Sequence, residues 1–137
     1  MTDEEARGPV TSNELLARFI LQRSHLRQDW TVKSDAFIPY PWPNLSVTRH
    51  LQLSDPELWK IAQKVAQQTE RILHGRADVQ ASDFERQSLR VVAAPVSENP
   101  NHANVSGWPL EKSAQKTIAQ EIAQSAGKAR KPPPHSE

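Results

Sequence analysis

Leu45-Ser46-Val47-Thr48-Arg49-His50-Leu51-Gln52-Leu53 runs directly into Ser54-Asp55-Pro56-Glu57, and the apolar pattern changes its period at the join. Up to residue 53, Leu45, Val47, Leu51 and Leu53 alternate with Ser46, Thr48, His50 and Gln52. A period of two belongs to a strand with one buried face. At residue 54 a hydroxyl stands three positions before a carboxylate, with proline in the first turn, which is the chemistry of a helix start. Leu58, Trp59, Ile61, Ala62, Val65, Ala66, Thr69, Ile72 and Leu73 then recur at helical spacing, and Gly75 reads as a left-handed stop.

Toward the N-terminus, Thr11-Ser12-Asn13-Glu14 repeats the hydroxyl-to-carboxylate spacing, and Leu15, Leu16, Phe19, Ile20 and Leu26 follow it. The spacing predicts a helix over residues 11–28. Residues 30–44 contain Pro39, Pro41 and Pro43 and read as a loop anchored by aromatics, with room for a short strand at 36–38. Toward the C-terminus, Ser82 to Glu85 has the spacing of a single helical turn. Strands are expected at 89–94 and 103–106, joined by the Pro- and Asn-rich loop 95–101 and closed by Trp108-Pro109. Ile118, Ala119, Ile122, Ala123 and Ala126 mark a helix over 111–126 that stops at Gly127.

The order helix, strand, helix, strand, strand, helix is that of an α+β domain. Three main helices are expected to pack on a short, mostly antiparallel sheet. The domain should occupy residues 11–127, between a disordered leader at 1–10 and a disordered, basic, Pro-rich tail at 128–137. At 137 residues the chain is of single-domain length, and the modest 36% of hydrophobic residues fits a core confined to its middle.

The 17 Lys and Arg residues against 16 Asp and Glu leave a net charge of +1, which gives no global pull toward nucleic acid or membrane. With no cysteine, disulfides, thiolate zinc sites and cysteine nucleophiles are excluded. A signal peptide and a membrane span are both unreadable, so a soluble cytoplasmic protein is expected. The histidines at 25, 50, 74, 102 and 135 lack zinc-ligand spacing, and four glycines form neither a P-loop nor a dinucleotide fingerprint, so no metal or cofactor is expected.

Three features are candidates for chemistry. Arg49 is in register with Leu45, Val47, Leu51 and Leu53, which puts a guanidinium on the buried face. Such a charge needs a carboxylate such as Asp78, backbone carbonyls or an anionic ligand, and an ordinary ion pair is the more frequent solution. His102 and Asn104 should project together from the face opposite Ala103 and Val105, a pairing suited to a phosphate, a ribose hydroxyl or proton transfer. A turn-capping histidine is the plainer reading. Arg76, just after Gly75, would either add a second cation to an anion cradle or complement a helix dipole. Tyr40, Trp42 and Trp108 lie in loops or at element ends, where tryptophans plug an edge or anchor a partner.

Four strings, Ser46-Val-Thr-Arg-His50, Ser54-Asp-Pro-Glu-Leu-Trp59, Gly75-Arg-Ala-Asp-Val79 and Asn101-His-Ala-Asn-Val-Ser-Gly-Trp-Pro109, occur in that order. Together they resemble a family of small uncharacterised bacterial proteins, often encoded with larger partners. The resemblance covers about residues 14–126, brings no activity with it, and implies a companion protein in a multi-gene system. Two functions follow as expectations. The first is a non-catalytic interaction or regulatory module that binds a larger protein through Tyr40, Trp42 and Trp108. The second is an enzyme or sensor for a nucleotide or phosphate ligand that uses Arg49, Arg76, His102 and Asn104, with His102 and Arg49 as its catalytic candidates.

Overall fold

The alternating stretch forms a strand, β2 (Leu45–Arg49), that is shorter than its pattern. It stops at Arg49 because the chain turns at Leu51, whose φ of 47° lies in the left-handed region and cannot continue a ladder. The structure, a computed structural model, describes residues 8–134. After the turn, Ser54 caps α1 (Asp55–Gln68): its hydroxyl accepts from the Glu57 amide, and the Glu57 carboxylate accepts from the Ser54 amide. The apolar spacing continues to Leu73, but the helix ends where the Thr69 hydroxyl donates back to the Val65 carbonyl at 2.9 Å.

The residues read as a helix stop begin another strand, β3 (Gly75–Gln80). Gly75 is there for space: a Cβ would lie 2.7 Å from the Arg130 carbonyl oxygen. The expected first helix is likewise a strand, β1 (Leu15–Ile20), paired with β3 along all its length and with β2 at Leu16 and Ala17. Both faces of β1 are covered, Leu16 and Ile20 on one side and Ala17 on the other. Burial on two sides makes neighbouring residues apolar together, and that imitates a helical stripe. The Thr11–Glu14 contacts do form, but they close one turn that is not propagated.

The remaining elements are α2 (Ala81–Glu85), β4 (Arg90–Ala93), β5 (His102–Ser106) and α3 (Lys112–Ala126). Residues 34–37, near the expected short strand, form a 3₁₀ turn with Phe37 buried. The molecule is therefore α+β, with one five-stranded antiparallel sheet in the order β3-β1-β2-β5-β4.

Residues paired across antiparallel strands share a face. Leu16 lies between Arg49 and Val79, so these three share one face, with Ala77, Val47 and Ala103. Phe19 opposes Arg76, and Ala17 opposes Thr48 and Asp78, so these belong to the other. The main buried cluster contains the first face together with Phe37, Phe84, Ala119 and Ile122. A smaller one contains Trp59, Ala62 and Ala66 of α1 with Leu73, and Phe19 packs against it.

The first residues of the expected tail are paired. The Arg130 amide donates to the Arg76 carbonyl and the Arg76 amide to the Arg130 carbonyl, while the Ala129 amide donates to Trp30. These bonds occupy the outer edge of β3 near its start, where unpaired backbone groups would otherwise face water. Residues 1–7 of the expected leader and 135–137 of the expected tail lie outside the described residues. Among the described residues no helix is long and apolar enough to cross a membrane.

Candidate functional site

Arg49 is 2% exposed, and protein atoms surround its guanidinium. Its Nε and Nη2 donate to the two Glu14 carboxylate oxygens at 2.7 and 2.8 Å, a bidentate pair. Nη1 donates to the Gly8 carbonyl at 2.9 Å and Nη2 also to that of Pro9 at 3.3 Å. Even its backbone is held, since Asn101 Nδ2 donates to the Arg49 carbonyl at 2.8 Å. The expected need for a carboxylate is met by Glu14 and not by Asp78, because Asp78 projects from the opposite face of the sheet.

Asp78 belongs to a second cluster on that opposite face. Arg76 Nε donates to it at 3.1 Å, and Arg76 Nη2 donates to Asp55 at the start of α1 at 3.0 Å. The Arg76 guanidinium also lies 4.7 Å from the Trp59 ring centre, and its buried Nη1 has no acceptor among the described residues. His50 Nε2 is 2.9 Å from Asp78 Oδ1, and Arg130 reaches the same carboxylate at 3.5 Å. Burial by itself would raise the Asp78 carboxyl, but the hydrogen bond and charge of His50, with the Arg76 guanidinium, outweigh it and hold the group below its ordinary range. In the sequence His50 is only a polar position of the alternation. Its role depends on pairing between β1 and β3, which nothing local announces.

His102 and Asn104 share a face, as the alternation predicts. In the register His102 opposes Thr48, and Asn104 stands between Ser46 and Val92. His102 Nδ1 is 2.8 Å from the Ala94 carbonyl oxygen. This face is the one that carries Arg76, not Arg49. Arg49 and Arg76 leave the sheet on opposite sides, so the expected cradle of Arg49, Arg76 and His102 does not assemble around one ligand. Among the described residues no three His, Asp or Glu side chains gather as a metal site requires.

The three loop aromatics also separate. Trp108 is buried and its Nε1 donates to the Val105 carbonyl at 3.0 Å, so it plugs the domain from inside and presents no anchor to a partner. Tyr40 and Trp42 are 53% and 71% exposed. Their loop is held in place: the Tyr40 amide donates to Gln115 Oε1 at 3.1 Å and the Trp42 amide to the Pro39 carbonyl at 2.9 Å. Lys112 Nζ sits 5.7 Å from the Tyr40 ring centre.

These aromatics flank a cavity of about 360 Å³ lined also by Arg18, His25, Asp35 and Lys112. Burial lowers the Arg18 guanidinium to about 10, which leaves it charged at neutral pH. Its Nε and Nη1 donate to the Ala36 and Ser46 carbonyls at 2.8 and 3.0 Å. Burial, then the Arg18 charge, lower His25 below its ordinary value of 6.5, so it is mostly neutral at pH 7. Arg18 and Lys112 therefore face a single carboxylate, Asp35. Comparison of the chain with family models, with curated proteins and with solved structures finds no match.

Proposed function

We propose that this chain is a non-catalytic interaction module that docks an acidic segment of a larger protein on the Tyr40–Trp42 loop. The observation that carries the reading is Trp42, 71% exposed on a hydrogen-bonded loop beside a cavity whose cations outnumber its carboxylates. A large aromatic exposed on a held loop binds at low entropic cost, because little order remains to be imposed. Arg18 and Lys112 supply the charge preference, and Tyr40 and Trp42 supply the apolar contact area. The proposal includes the expected setting, a cytoplasmic companion of a larger protein in a multi-gene system. The reading is preferred to an enzyme or nucleotide sensor because Arg49 leaves the sheet on the face opposite Arg76 and His102.

The test is co-purification of the intact chain from its native host, with a Trp42→Ala variant beside it. A larger protein should be recovered in stoichiometric amount with the native chain. It should be lost with Trp42→Ala and weakened by Lys112→Glu, while both variants keep the native chain's circular dichroism. Equal recovery by the native chain and Trp42→Ala would sink the reading.

A further inference from the structure

A second cavity, of about 230 Å³, lies on the opposite side of Ser46, against the end of α1. Ala17, Phe19, Ser46, Thr48 and His102 share the sheet face that borders it, and Val65 of α1 and Thr69 just past its end, with Val96 and Glu98 of the β4–β5 loop, add to the wall. Arg18 borders it through its backbone, for its guanidinium is bound to the Ala36 and Ser46 carbonyls.

The wall that carries Glu98 is built on buried polar bonds. Asn99, 2% exposed, donates from Nδ2 to Thr48 Oγ1 at 2.7 Å and accepts from the Asn101 amide at 3.1 Å. Val96 and Asn99 also exchange backbone bonds at 3.0 and 3.1 Å. Such a network keeps the cavity's shape without a ligand.

The polar groups on the lining set the ligand's charge. A carbonyl only accepts, so the contact with Ala94 requires a proton on His102 Nδ1 and leaves Nε2 of the neutral ring as an acceptor. Glu98 adds a carboxylate, held below its ordinary range by the Ser97 hydroxyl and its own backbone amide. Among the described residues Arg18 is the one Lys or Arg on the lining, and its guanidinium is turned away; Lys64 acts on Glu98 from outside the lining. Phe19, Val65 and Val96 supply apolar walls, and about 150 Å³ of apolar space already accepts a benzene ring. The cavity is large enough for one ring and a short arm.

We propose that this cavity binds a small arylalkyl amine in its protonated form, with the ring against Phe19, Val65 and Val96 and the ammonium group directed to Glu98 and His102 Nε2. The site is separate from the Tyr40–Trp42 surface, and either can fail without the other.

Benzylamine, benzyl alcohol and benzoate serve as probes, each titrated into the full chain at pH 7 and followed by amide and histidine ring nitrogen NMR shifts. Benzylammonium should give saturable shifts at Thr69, Val96 and His102, and bind about tenfold or more tighter than benzoate, a difference of about 1.4 kcal/mol. Glu98→Gln should weaken benzylammonium by about fivefold, the scale of a partly exposed ion pair, and leave benzyl alcohol unchanged. Val65→Trp should fill the space and abolish all binding. Glu98→Gln, on an exposed loop, keeps the test decisive if Val65→Trp does not fold. Shifts that do not saturate at these residues, benzoate binding as tightly as the amine, or an amine affinity unmoved by Glu98→Gln would each overturn the proposal.

Discussion

The two least exposed arginines, Arg49 and Arg76, lie on opposite faces of the sheet and are held in different ways. Among the described residues Arg49 meets the Glu14 carboxylate in bidentate contact and the backbone carbonyls of Gly8 and Pro9. Arg76 shares its carboxylates: Asp78 also serves His50 and Arg130, Asp55 also meets Arg130, and one Arg76 nitrogen has no acceptor among the described residues. The first rests on one bidentate contact across 35 residues of sequence. The second is a network with partial redundancy at the surface end of α1. A buried charge is therefore not in itself a sign of a ligand. What matters is whether the chain has already supplied its counter-charge.

The largest effect should come from breaking the bidentate pair. Glu14→Gln takes the bidentate carboxylate from a guanidinium that is 2% exposed and is expected to lower stability by about 3–5 kcal/mol in urea unfolding. The double variant Glu14→Leu, Arg49→Met should recover most of that loss, since both members of the pair are removed together. A double variant as unstable as Glu14→Gln would show that packing, not charge, dominates at this point.

Arg76→Met should cost less, about 1–2 kcal/mol, because Asp78 keeps His50 and Asp55 is 59% exposed and stays solvated. A loss as large as that of Glu14→Gln would erase the contrast between pair and network.

The smallest effect is one of pH. The Asp78 carboxyl is depressed in the folded chain, so the unfolded chain binds a proton more readily. Its contribution to stability is complete above its ordinary value of 3.8 and is lost as pH falls below that, through the folded value. The stability difference between the native chain and Asp78→Asn should shrink as pH falls below about 4. A difference that grows as pH falls below about 4 would mean the carboxyl is raised instead.

Legibility in the sequence followed the range of the forces involved. The cap and the stripe of α1 lie within a few residues of one another, and so do the apolar face of α3 and its end at Gly127; all were readable. The β4–β5 hairpin was readable as well, from alternating residues on both sides of a Pro- and Asn-rich loop. β1 was not, because Leu15-Leu16-Ala17-Arg18-Phe19-Ile20 satisfies a helix template and a doubly covered strand equally well. Only its ladder with β3 settles the matter. β3 was hidden in turn, since Gly75-Arg76 matches a helix stop until Arg130 is seen lying against the glycine.

The candidate residues divide along the same line. That Arg49 faces inward, and that His102 and Asn104 face one way, followed from the two-residue period of a strand, a local property of the backbone. Glu14 as the partner of Arg49 is 35 residues away, and His50 reaches Asp78 across 28. Those contacts follow from strand order, which the alternation leaves open. Trp42 and Trp108 show the same limit: both lie beside prolines, yet one is exposed and the other seals the core. Local chemistry told this chain where α1 and α3 begin and end and which side of β2 and β5 to bury, but not that β1 and β3 are strands. Which side meets which, and hence which charges are neutralised and which aromatics remain outside, arose from long-range pairing, because those energies exist only once the sheet has closed.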